Sequence, residues 1–158
     1  MAKKTINNKY FIKRKETDEW IDATIMFDGL NILSVSGFNS QGDAQNVYTA
    51  KWINSQAEDF CITGDSIVRA NVDLSLTFVC GTRYSTNNNV DTQNVYDAFV
   101  NYINNGDFYI KSAYSNKYAH VVCLKEFKPT TEKLHRGINS YILATAPLHC
   151  LDAAVVIQ

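Results

Sequence analysis

Within residues 71–80, NVDLSLTFVC, polar and apolar residues alternate from Asn71 to Phe78. Val72, Leu74, Leu76, Phe78 and Cys80 fall on one side, and Asn71, Asp73, Ser75 and Thr77 on the other. Successive side chains of a strand point to opposite faces, so this period of two predicts a strand with one buried and one wet face, as in an antiparallel sheet. Other stretches follow the rule less regularly. YFIKRK at 10–15 predicts a short strand. WIDATIMF at 20–27 alternates up to Asp28-Gly29, a turn dipeptide, and LNILSVSGF at 30–38 is apolar again. The expected arrangement is a hairpin of 20–27 with 30–37. Within its second arm Leu30 and Ile32 share one phase and Leu33 and Val35 the other, a slip that marks a β-bulge.

The period changes once. Val95, Phe99 and Tyr102/Ile103 recur at helical spacing, Asp91 or Thr92 can cap the first turn, and Asn105-Gly106 supplies the stop. A helix over about 92–104 is expected. DFYIKSA and KYAHVVCLKEF then form a hairpin around YSNK, its second strand ended by Pro129. Residues 129–138 read as a polar connection. SYILATAPLHCL at 140–151 predicts the last long strand, with Pro147 at its edge or end, and AAVVIQ finishes in a final pairing. About seven to nine strands with one helix between them predict a mainly β fold, an antiparallel β-sandwich or barrel with one packed α-helix.

Residues 38–59 break this pattern. They are polar and Asn/Gln-rich, with Tyr48 and Trp52 embedded in NVYTAKWI, itself a possible strand. Such a long excursion from a compact core, carrying aromatic rings, points to a surface that contacts a partner. The alternative is that both rings pin the loop to its own domain.

A length of 158 residues fits one domain. The division expected is a basic N-terminal arm over 1–18 and a single β-rich domain over 19–158. Net charge is −1, so charge alone does not imply a nucleic-acid partner. Residues 1–15, however, carry Lys3, Lys4, Lys9, Lys13, Arg14 and Lys15 and no acid. They suit either a solvated arm or one that docks on an acidic neighbour, a second copy of the chain included. Lys13, Arg14, Lys15, Tyr48 and Trp52 are the candidate subunit contacts.

Candidate chemistry is sparse. Cys61, Cys80, Cys123 and Cys150 are far apart and form no CxxC, and three of them lie in apolar strand-like runs, where a free thiol behaves as a small hydrophobe. His120, His135 and His149 show no ligand spacing with them. No phosphate-binding glycine loop, HExxH or GxSxG is present. The expectation is a protein that is not an enzyme and holds no cofactor or metal. The first 30 residues contain no apolar stretch of a secretory leader, and no run of 18 apolar residues occurs. Reduced thiols in a cytoplasmic folding compartment, with no membrane span, are therefore expected.

The order of elements carries one resemblance. An alternating strand, a polar loop, the helix YDAFVNYINN, the strand FYIK, a turn, KYAHVVCLKEFKPTT and INSYILATAPLH together resemble the tail-tube-like module of long-tailed bacteriophages, found in tail tube and distal tail proteins. Tyr96, Phe99, Tyr102, Lys117, Tyr118, Leu124, Lys125, Ala146 and Pro147 carry it, and it spans about residues 70–150. The resemblance implies a structural virion protein, assembled in the bacterial host cytoplasm. It implies a homo-hexameric ring that joins other tail proteins, with sheets lining a channel through which DNA passes without specific binding. Asn71, Asp73, Ser75 and Thr77 would then be the channel-facing side chains. The chain as given lacks the large C-terminal domain of many distal tail proteins, which favours a simple ring or tube subunit. The alternative is a β-sandwich binding module for a carbohydrate or host surface, using Trp20, Trp52 or Tyr84 as stacking platforms.

Overall fold

The computed structural model describes residues 10–37, 47–51, 58–62, 72–86, 90–113, 117–134, 140–151 and 156–157, of which 47–51, 58–62 and 156–157 are described as backbone. Trp52, Asn71 and His135 lie outside these residues. The chain runs β1 (Tyr10–Lys13), β2 (Ile21–Asp22), α1 (Ala23–Met26), β3 (Leu30–Ser36), β4 (Val47–Lys51), β5 (Glu58–Ile62), β6 (Asp73–Gly81), a 3-10 turn (Thr82–Tyr84) and α2 (Thr92–Asn104). It continues through β7 (Phe108–Ser112), β8 (Lys117–Val122), β9 (Pro129–Lys133), β10 (Tyr141–Cys150) and β11 (Val156–Ile157). This is the expected mainly antiparallel β fold with one substantial helix, and that helix has the expected bounds.

Nine strands form one sheet in the order β2-β1-β7-β8-β10-β6-β3, with β11 added on β8 and β9 on β10. Its two halves meet at a corner where β8 and β10 share only two residue pairs, Val122 with His149 and Val121 with Cys150. The sheet folds over at this corner. The hydroxyl of Tyr10 on β1 accepts from the backbone N–H of Val35 on β3 at 3.2 Å, so strands far apart in the order come together. Between the halves lies one apolar core. It takes Ile12 from β1, Ile110 from β7, Val121 from β8, Leu74, Leu76 and Phe78 from β6, and Ala144, Ala146 and Leu148 from β10. Burial of this area is the main force holding the fold.

Helix α2 closes the core. Asp91 caps it by accepting from Gln93 N–H at 3.0 Å. Phe99 and Ile103 are fully buried, and the Phe99 ring meets Phe78 edge-on at 4.7 Å. Gly106 follows the cap residue Asn105 with φ +134°, a conformation that ends the helix and that side chains disfavour.

Several expectations change. The hairpin of 20–27 with 30–37 does not form. The Asp22 carboxylate accepts from both Thr24 N–H (2.9 Å) and Thr24 Oγ1 (2.7 Å), so the chain leaves the strand after two residues and turns into α1. β2 pairs with β1, and β3 pairs with β6. The bulge in β3 is present: the register slips between Ile32 and Ser34, leaving Leu33 45% exposed. Pro129 opens β9 rather than ending β8, which stops at Val122. The supposed polar connection is therefore partly an edge strand, where a leading proline costs no ladder bond. Pro147 lies inside β10, at a stretch between Ala144 and His149 that β6 alone pairs. It is at an edge in the local sense. Residues Tyr10–Lys13 of the basic stretch are a sheet strand with Ile12 fully buried. β4 and β5 form a separate two-stranded sheet within and just beyond the expected excursion.

Candidate functional site

Register places the outer face of the sheet. Lys13 lies opposite Tyr109, Tyr109 opposite His120, and Val122, two residues on, opposite His149, which is opposite Asp73. Residues two apart share a face, so Asp73, Ser75 and Thr77 belong to the same outer surface as Lys13. These three are the wet side of β6, opposite buried Leu74, Leu76 and Phe78. They knit to β10: Thr77 Oγ1 is 3.3 Å from Thr145 Oγ1, and Asp73 Oδ1 is 2.8 Å from His149 Nδ1.

Of the candidate contact residues, Lys13, Arg14 and Lys15 are described with their side chains, and these three go to different places. Lys13 Nζ donates to Glu16 O at 2.8 Å and stands 4.5 Å over the Trp20 ring and 5.4 Å over that of Tyr109. Arg14 turns the other way. Its Nη2 donates to Tyr102 O and its Nη1 to Asp107 O (3.0 Å), while the guanidinium lies 4.0 Å over the Tyr102 ring. Tyr102 O is among the last carbonyls of α2, which lack intrahelical donors, so Arg14 serves as a cationic cap on the helix end. Lys15 is exposed and its backbone N–H donates to Asp18 at 3.0 Å. Tyr48 lies in β4.

On the β1-β7-β8 half, aromatic rings and cations interleave. Tyr109 stacks on His120 at 4.3 Å and 7°, and His120 Nε2 pairs with Asp107. That bond is the chief reason the Asp107 carboxyl is held below its ordinary range. Trp20 meets Tyr118 edge-on at 5.8 Å, while Lys13 and Lys111 lie over its ring. A ring attended by two ammonium groups is a poor sugar platform, because a sugar would have to displace them. No local pattern in the chain signals this ladder, since it depends on β1 pairing with β7 across about 100 residues of chain.

The other half carries a groove of about 440 Å³, lined by Leu33, Val79 and Leu143 with Arg83, Tyr84, Lys133 and Tyr141 around them. Leu33 reaches it because the bulge turns its side chain outward. Ser140 at its base donates to Thr92 Oγ1 at 2.9 Å. Arg83 and Lys133 have no carboxylate partner among the described residues. Sequence reasoning placed Arg83 in a loop and Lys133 in a connection and so missed the groove. Tyr84, named there as a stacking candidate, does line it.

Among the described residues no cluster of three His, Cys, Asp or Glu gathers as for a metal ion. Burial pushes the Cys80 thiol up to about 12, so it stays protonated near neutrality, when it would be a weak nucleophile. No described helix is long and apolar enough to cross a membrane.

The arrangement is a folded antiparallel sheet closed by one helix. It is similar to SPP1 Dit (gp 19.1), whose crystal structure is described as a paradigm of the hub adsorption apparatus in phages infecting Gram-positive hosts. The TM-score is 0.53 at 10% identity, over 91% of this chain and 50% of that one. The chain thus spans about half the length of that protein, and at this identity the likeness is one of fold. No protein-family model and no curated protein matches the chain.

Proposed function

We propose that the chain is a structural subunit of a bacteriophage tail, which assembles with copies of itself into a ring of about six around a DNA channel and joins other tail proteins. The observation that carries this reading is the fold likeness to a tail hub protein along nearly the whole chain. Two features support it. β2 and β3 end the sheet order, each with one edge unpaired among the described residues, and such edges invite pairing with a neighbour. The wet side of β6 offers short polar groups, Asp73, Ser75 and Thr77, that suit a channel wall which does not grip DNA. The role is architectural, without catalysis or cofactor, in a virion component assembled in the host cytoplasm. Whether the ring belongs to a tube or to a distal hub depends on its neighbours in the particle.

Of the three rings in the binding-module reading, Tyr84 lines the groove, Trp20 is attended by lysines, and Trp52 lies outside the described residues. Negative-stain imaging of the purified protein separates the two. Rings or stacked rings with a central opening are expected. Small particles without an opening, whatever the concentration, would refute the tail-ring reading.

A further inference from the structure

The groove on β3, β6, β9 and β10 combines an aliphatic floor with two cations that have no carboxylate partner among the described residues. Leu33, Val79 and Leu143 form the floor; Arg83 and Lys133 stand exposed beside it. Nearby acids are spent or turned away. Asp28 is taken by Thr86, whose N–H and Oγ1 donate to it at 2.8 and 3.0 Å. Glu132 pairs with buried Ile142 and so lies on the opposite face of β9 from Lys133. The groove therefore suits a partner that is both anionic and apolar.

The turn between β1 and β2 has that chemistry. Glu16, Asp18 and Glu19 are exposed, and Ile21 and Ile25 follow at 41% and 76% exposure. The cations of this stretch are mostly engaged: Lys13 with Glu16 O and two rings, Arg14 with the end of α2. Glu16 and Glu19 have no side-chain partner among the described residues. The acidic, apolar turn and the basic, apolar groove are built by different strands, so one copy can offer both at once.

We infer that the acidic β1–β2 turn of one copy docks in the groove of the next, with Glu16 and Glu19 facing Arg83 and Lys133 and Ile21 lying against Leu33. A contact between two different patches is head-to-tail, the type that closes into rings when its rotation allows. This rests on the self-assembly proposed above and names the surfaces that carry it.

The test uses two full-length variants, Arg83→Glu/Lys133→Glu and Glu16→Lys/Glu19→Lys, with light scattering at low salt. All four positions are exposed, so circular dichroism and unfolding temperature should match the wild type. Each variant alone should have the mass of one chain, while an equimolar mixture should recover the wild-type assembled mass, because each reversed patch then meets its opposite. Variants that assemble alone as the wild type does would overturn the docking and leave self-assembly standing. Single-chain variants that stay apart when mixed would also overturn it. A wild type that never associates would overturn both the docking and the ring.

Discussion

Arg14 gives the sharpest single-residue prediction, because sequence reasoning offered it to a neighbouring subunit and its own chain holds it. Replacing it by Met keeps much of the stem and removes the charge and the donors. The carbonyl of Tyr102 at the end of α2 would lose its donor, Asp107 O would lose a bond, and the Tyr102 ring its cation. Bonds from a charged donor, a charge at a helix end and a cation over a ring are each worth about 0.5–2 kcal/mol, at the low end where solvent reaches them. Because the site is partly exposed, Arg14→Met should cost about 2–3 kcal/mol in all, with no simple additivity among the three. For a domain of this size each kcal/mol moves the midpoint by about 2–4 °C, so unfolding should begin about 4–12 °C lower. Thermal unfolding followed by circular dichroism measures this. Lys15→Met, at an exposed neighbour whose side chain has no partner among the described residues, should change the stability by less than about 0.5 kcal/mol. If Arg14→Met unfolds at the wild-type temperature yet no longer assembles, Arg14 is a subunit contact and its role as a helix cap is wrong.

Three other outcomes follow from the same packing. Phe99→Ala removes the ring that joins α2 to Phe78 and should cost about 3–5 kcal/mol, measurable as a lower urea midpoint; a loss under about 1 kcal/mol would mean that the helix is not docked there. Gly37→Ala would hold a non-glycine residue at φ +107° with its Cβ 2.8 Å from Asp73 O, so a loss of at least about 2 kcal/mol is expected, and an unchanged midpoint would contradict that backbone. The Asp107 carboxyl is held below its ordinary value chiefly by the His120 bond, so its contribution to stability is present above the unfolded-state value of about 4 and is lost as pH falls through the lower folded value. Wild-type unfolding temperature should therefore fall more steeply than that of Asp107→Asn below about pH 4.5, and parallel curves would show that the pair contributes nothing.

The elements most readable from sequence were those whose buried face is complete. β6 keeps a strict period from Asp73 to Phe78 and β10 over its ten residues, and α2 keeps its stripe between a capping Asp91 and a stopping Gly106. The bulge in β3 was readable for the same reason, since a change of phase is itself a pattern. The β7–β8 hairpin was readable from its two strands and polar turn, but the partners of the other strands were not. The alternation in 20–27 looked like a hairpin arm until Asp22 captured the N–H of Thr24, a local bond that outweighs two residues of ladder. β1 was readable as a short strand within the basic stretch, but its place beside β7 depends on a distant partner. The groove was least readable, because Leu33, Arg83, Lys133 and Leu143 meet only through the order of β3, β6, β10 and β9. Asp73, Ser75 and Thr77 were correctly placed on a wet face, while their lining of a channel depends on the assembly.

A tail ring requires self-association, which the mass of the purified full chain by light scattering across a wide concentration series measures. If the chain builds a tail ring through the paired charge patches, a species of about six chains is expected that persists on dilution and weakens as salt is raised. A mass of one chain at every concentration would contradict the proposal that this protein builds a tail ring.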